Sequence, residues 1–324
     1  MKLVAIAVVT LATTLVPIAQ AAGLVTGMGG QATVRRTAVA IAVPLHVGVQ
    51  LNDSDQVLLA PGSFVEVLCG GLTRVSLREP VQVFRCPSGK SVFNWNGKDM
   101  PSPRSITRVL LPAGTLVMSQ RPPIRWTPGN TASQVRVVVR GGDFRWERLV
   151  PDTGSLPYPA DAPPLERGHA YRALVLDPDA DPDMTSGPLN SGFKVLGEDE
   201  AKQAEFLLAE LDALKGLSPA EILQLKSRAR LLIGLNAEAI ELIERASADP
   251  VTALTASSML GTAWLRTGCV ACAVPVLEKT LEKASATGDA AAIHESGRLL
   301  LDVYRKQNRN SAAEAVEKQL NASQ

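Results

Sequence analysis

The chain has 324 residues, 46% of them hydrophobic, and carries 33 Lys plus Arg against 32 Asp plus Glu. That balance argues against a dedicated nucleic-acid binder, whose affinity rests largely on neutralising phosphates, and the length predicts two or three domains at ~100 to 150 residues each. The charges are unevenly placed, with 18 basic and 14 acidic residues between 23 and 197 and 14 basic and 18 acidic from 198 onward.

Met1 and Lys2 precede an apolar run from Leu3 to Pro17, and Ala19-Gln20-Ala21 has the small-x-small form that a signal peptidase accepts. Residues 1–21 therefore read as a signal peptide cleaved after Ala21. An uncleaved anchor helix is the alternative, because the run approaches the ~20 residues of a membrane span. No later stretch is apolar for long enough to cross a bilayer, so we expect a periplasmic or secreted protein with no stable membrane insertion once the signal is cleaved.

From Gly23 the chain is rich in Val, Pro and Gly and reads as short strands broken by turns. The run Gly27-Met28-Gly29-Gly30 lacks the Lys-Ser or Lys-Thr of a phosphate loop and reads as a flexible entry to the first domain. Val65 and Val67 alternate with Glu66, and Val81 and Val83 with Gln82, so each segment can present one face inward. Cys69 and Cys86 flank these runs 17 residues apart, and a cross-strand disulfide is expected between them in an oxidising compartment. The segment Pro44-Leu45-His46-Val47-Gly48-Val49-Gln50-Leu51, followed by Asp55 and by Gly62-Ser63 ahead of the Val65 strand, resembles the FecR-like periplasmic domain. The resemblance implies a small β domain over 22–100 with a sensory or interaction role.

A second β unit is expected over 101–197. Ile124 and Trp126, then Val135, Val137 and Val139, then Phe144 and Trp146 make three period-two runs separated by Gly129-Asn130 and Gly141-Gly142 turns. Leu165-Glu166-Arg167-Gly168-His169-Ala170-Tyr171 resembles the L-x-x-G-x-x-Y corner of fibronectin type III and immunoglobulin-like sandwiches. In those folds the tyrosine hydroxyl ties the corner to nearby backbone, and the modules serve mostly as adhesive or spacer units.

Past Gly197 the composition shifts to Ala, Leu and Glu at helical spacing, opening with Glu198-Asp199-Glu200, charges that suit a helix N-terminus. Gly234, Ala239, Ile243 and Ala246 recur 34 residues later as Gly268, Ala273, Leu277 and Thr280, and Ala273 recurs after 40 as Ala313. Leu260-Gly261-x-x-Trp264, Gly268 and Ala273-x-x-x-Leu277 resemble the tetratricopeptide repeat, whose period is 34. The outer copies depart from it: Arg230 stands where an aromatic is expected, and the last copy has Tyr304 but Asn308 at the glycine position and a six-residue insertion. The resemblance implies an all-α array of stacked helix pairs over 198–324. Gly261 and Ala273 would let those helices approach closely, and the partner surface would lie on the concave face.

The chemistry-bearing residues are few. Cys269-Val270-Ala271-Cys272 has the spacing of thiol oxidoreductases, but these place it after a strand, and here a helix precedes it; a local disulfide, two packed thiols and a redox pair all remain open. His46, His169 and His294 lie in no ligand or triad motif, and no zinc set or other metal or cofactor site is indicated. Asp177, Asp179, Asp181 and Asp183 read as an acidic turn, because Pro182 and Pro188 stand where an EF-hand needs Gly and Glu. Arg125, Arg136 and Arg140, interleaved with aromatics, are candidate contacts for an anionic cell-envelope polymer. The expected function is non-enzymatic binding of a protein or peptide partner by the helices, with envelope-polymer binding through the β half, or thiol-disulfide exchange at Cys269 and Cys272, as alternatives.

Overall fold

The computed structural model describes residues 23–36, 42–87, 106–107, 109–129, 133–180, 192–248 and 253–322. Residues 1–21, the expected signal peptide, lie outside the described residues. A β N-terminal half is followed by a helical C-terminal region, as the sequence indicates.

The first β unit contains β1 (Gly23–Gly29), β2 (Ala32–Arg35), β3 (Ala42–Pro44), β4 (Gln50–Leu51), β5 (Gln56–Leu59), β6 (Phe64–Cys69), β7 (Arg74–Leu77) and β8 (Val81–Val83). They form two four-stranded sheets, ordered β4-β1-β6-β7 and β3-β2-β5-β8. Val25, Leu51, Val65 and Val67 from the first sheet meet Val34, Val57 and Leu59 from the second around Phe84. The glycine-rich run is no flexible entry. Gly27-Met28-Gly29 completes β1, antiparallel to β6, and at Gly29 the strands approach closely enough that an added Cβ would stand 2.4 Å from the Phe64 ring. β8 turns its two valines outward, Val81 and Val83 each being 55% exposed. Their register opposite Leu58 and Gln56 puts them on the outer face, while the carboxamide of Gln82 accepts the Arg78 and Glu79 N–H groups and Phe84 fills the core.

The second β unit contains β9 (Ile106–Thr107), β10 (Val109–Leu111), β11 (Thr115–Val117), β12 (Ile124–Trp126), β13 (Gln134–Gly141), β14 (Phe144–Pro151), β15 (Ser155–Leu156), β16 (Ala170–Leu176) and β17 (Gly192–Val195). One sheet runs β10-β12-β15; the other runs β11-β17-β16-β13-β14, with β9 on β16. Val135, Val137 and Val139 are buried between them with Trp126 and Phe193. The Tyr171 hydroxyl accepts the Glu166 N–H at 2.8 Å, and its ring stacks edge-on with Phe144 at 5.5 Å. β11 lies at the edge of its sheet, parallel to β17.

Seven helices follow among the described residues: α1 (Glu198–Asp212), α2 (Pro219–Ile233), α3 (Asn236–Ala246), α4 (Ala253–Arg266), α5 (Val270–Thr287), α6 (Ala290–Lys306) and α7 (Asn310–Ala322). Their starts are set by local chemistry. The Gly197 N–H donates to Glu200 at 2.9 Å, and Ser218 exchanges hydrogen bonds with Glu221 ahead of Pro219. Consecutive helices pack on one another, and α4 also packs on α6.

The three regions share a core. β1 is buried on both faces: Val25 points into the first sandwich, while Leu24 with Leu68 packs outward against Leu207 and Leu211 of α1 and Leu225 and Ala229 of α2. Leu116 of β11 and Leu196 after β17 join the same cluster. A helix pair needs cover for the apolar face it cannot bury alone, and here α1 and α2 obtain it from both β units.

Candidate functional site

The repeat residues singled out in the sequence fall on three helix hairpins. Gly234 ends α2 at φ 94°, Gly268 follows α4 at φ 78°, and Asn308 follows α6 at φ 57°. This left-handed conformation costs glycine nothing and is tolerated by asparagine better than by most residues, so Asn308 makes the same turn that the glycines make. Ala239, Ala273 and Ala313 are buried on α3, α5 and α7, each following one of these turns. Gly261 lies directly beneath Leu277, where an added Cβ would stand 2.4 Å from a leucine methyl. Trp264 and Tyr304 are buried at matching places near the ends of α4 and α6, beside partly buried Leu260. The Tyr304 hydroxyl donates to Glu278, Arg309 lies 4.4 Å over its ring, and burial with the adjacent carboxylate pushes its pKa up to about 12.

Sequence reasoning missed the seam joining the repeats to the second β unit. The Thr115 hydroxyl donates to the Gly234 carbonyl at 3.0 Å and accepts the Asn236 N–H at 2.9 Å, so one buried side chain closes the first helix turn. The Leu116 N–H donates to the same Gly234 carbonyl at 2.9 Å. Gly114 sits so close to the Gly268 turn that a Cβ would stand 3.1 Å from the Thr267 carbonyl. Both turns therefore dock on one short stretch of β backbone. Glu238 of α3 completes the seam by accepting the Met118 N–H at 2.9 Å. Its other carboxylate oxygen is buried with no hydrogen-bond partner, as is the Asn236 side-chain oxygen. Burial pushes the Glu238 pKa up to about 7, with the Met118 N–H and Arg230 pulling the other way.

The three candidate arginines are not brought together. Arg125, on β12, grips Glu244 of α3 through both guanidinium nitrogens at 2.9 and 3.2 Å, which makes it an interdomain clamp. Arg136 and Arg140 belong to the other sheet, on β13. Arg136 donates to the Pro178 carbonyl, and Arg140 borders an open groove of about 330 Å³ with Arg172 and Tyr171.

Both cysteine pairs are bridged. Cys69–Cys86 ties the end of β6 to the segment after β8, and Cys269–Cys272 spans the start of α5. The second pair lies after a helix, α4, as the sequence indicates, and also opens one: Cys269 caps α5 and its sulfur accepts the Cys272 N–H at 3.2 Å. His46, His169 and His294 are each exposed on separate elements. Among the described residues no cluster of three His, Cys, Asp or Glu could hold a metal ion. Asp181 and Asp183 of the acidic turn, and Asn130 of the expected Gly129-Asn130 turn, lie outside the described residues. No helix among the described residues is long and apolar enough to cross a membrane. No protein-family model matches the chain, and no curated protein matches it.

Proposed function

We propose that the protein is an exported, non-enzymatic adaptor that binds a protein or peptide partner on its helical region, with the β units as a rigid base. The FecR-like, immunoglobulin-like and tetratricopeptide-like resemblances support such a role. The observation that carries it is the triple recurrence of one hairpin, with left-handed turns at Gly234, Gly268 and Asn308 and small residues beneath each crossing. Stacked hairpins of this kind build an extended surface out of short helices. The second β unit takes up the α3 side through Thr115, Met118 and Arg125, while α6 presents exposed His294 and Arg298 to solvent. Two bridged cysteine pairs support an oxidising compartment.

A photo-cross-linking residue placed at His294, compared with one at Lys202 on α1, tests the proposal in intact cells. A single dominant adduct from His294 that disappears in Arg298→Glu, with thermal stability unchanged, is the expected result. Equal, diffuse labelling from both positions would sink the reading.

A further inference from the structure

We propose that the Cys269–Cys272 bridge is a thiol-disulfide exchange site that accepts two electrons from a dithiol on a partner polypeptide. The bridge closes a sequence separation of 3, against 17 for Cys69–Cys86, so by loop-closure entropy it restrains the unfolded chain roughly half as much. Its two sulfurs are unequally placed. Cys269 is buried in the helical core, whereas Cys272, packed against the edge of that core in the first turn of α5, is partly exposed and follows exposed Ala271. A nucleophile arriving from solvent therefore meets Cys272 first.

The leaving group is prepared for this attack. Cys269 caps an 18-residue helix, and the Cys272 N–H already points at its sulfur at 3.2 Å. The first turn of α5, Val270-Ala271-Cys272-Ala273, carries no acidic side chain to oppose a developing thiolate. A helix N-terminus favours the thiolate over the thiol, and the Cys272 N–H is placed to donate to the charge that develops on the Cys269 sulfur. A more stable leaving thiolate departs faster.

A partner thiolate attacks the Cys272 sulfur, the Cys269–Cys272 bond breaks, and its electron pair leaves on the Cys269 sulfur. The second partner thiol, once deprotonated, attacks the partner sulfur of the mixed disulfide, and the pair of electrons in that bond passes to Cys272. The partner is oxidised to a disulfide, and the two cysteines are reduced, taking up the protons that the partner dithiol loses.

The full-length oxidised protein, incubated in graded mixtures of reduced and oxidised glutathione, acid-quenched and alkylated, provides the test. Peptide mass mapping should show Cys269 and Cys272 modified while Cys69 and Cys86 stay bridged and circular dichroism stays native. In Cys272→Ser the thiolate absorbance of Cys269 should titrate with a midpoint below the ~8.5 of a free thiol. A reduced, unfolded dithiol peptide should gain a disulfide in equal measure as the pair is reduced. Opening of Cys69–Cys86 first, survival of Cys269–Cys272 until the protein unfolds, or a Cys269 midpoint at or above the free-thiol value would each overturn the proposal. The glutathione arm on the unmodified protein stands even if the serine variant fails to fold.

Discussion

The buried carboxylate at the seam makes stability depend on pH in a defined direction. Glu238 carries one oxygen satisfied by the Met118 N–H and one with no partner, and faces Arg230 of α2 and Glu241 of its own helix. Its carboxyl moves from an ordinary value of 4.5 to about 7 on folding, chiefly because burial penalises the charged form. The folded protein therefore holds this proton more tightly than the unfolded chain does. Its contribution to stability is full below pH 4.5 and is lost as the pH rises through 7. At 1.36 kcal/mol per pKa unit, the loss between pH 4.5 and 8 comes to about 3 kcal/mol. Asp161 and Glu221, both held below their ordinary range by hydrogen bonds from Arg148 and Ser218, act only at more acid pH, where their stabilisation is lost as the pH falls. Across a series from pH 5 to 8, the difference between the unmodified protein and Glu238→Gln reports the Glu238 titration. Glu238→Gln keeps an oxygen for the Met118 N–H and removes the titration. Urea unfolding at 25 °C should show stability falling with pH in the unmodified protein and a nearly flat profile in the variant, which becomes the more stable of the two at pH 8. A flat profile in the unmodified protein, or an undiminished slope in Glu238→Gln, would refute the reasoning.

Thr115→Val keeps the shape of the side chain but leaves the Asn236 N–H and the Gly234 carbonyl without the hydroxyl between them; a loss of about 2 kcal/mol is expected by denaturant titration. Gly261→Ala gains helix propensity worth about 1 kcal/mol but drives a methyl into the Leu277 side chain, which is buried and has nowhere to retreat. Overpacking of this kind costs about 1 to 3 kcal/mol, so a net fall in melting temperature is expected from calorimetry. A double-mutant cycle on Arg125 and Glu244 should give a coupling of about 1 kcal/mol that shrinks in high salt, as for a two-pronged pair that water still reaches.

Much of the helical region is legible because its determinants are local. The glycine and alanine spacing marks the hairpins, and Asn308 stands in for glycine because asparagine also tolerates the left-handed turn. Gly297, which lies beneath Leu320 much as Gly261 lies beneath Leu277, escaped notice because it falls outside the repeat register. The Cys69–Cys86 pair could be read from its flanking strands and spacing. The placement of Val81 and Val83 could not, since alternation reveals that two faces exist but not which faces inward; the pairing of β8 with β5 decides that. The arginines show the same limit. Arg125 looks like its neighbours in sequence, yet only the contact between β12 and α3 turns it into a clamp on Glu244.

By itself, the sequence determined the succession of strands and helices, the change of class near Gly197, and the turns where glycine is required, because backbone sterics and side-chain periodicity act over a few residues. The tertiary structure alone decided that Thr115, more than a hundred positions from Asn236, caps its helix, that Glu238 is left with an unpaired oxygen, and that the three regions share one core around Leu24, Leu116 and Leu196. Those outcomes depend on which surfaces meet once each element has hidden its own apolar side, and no local pattern encodes that meeting.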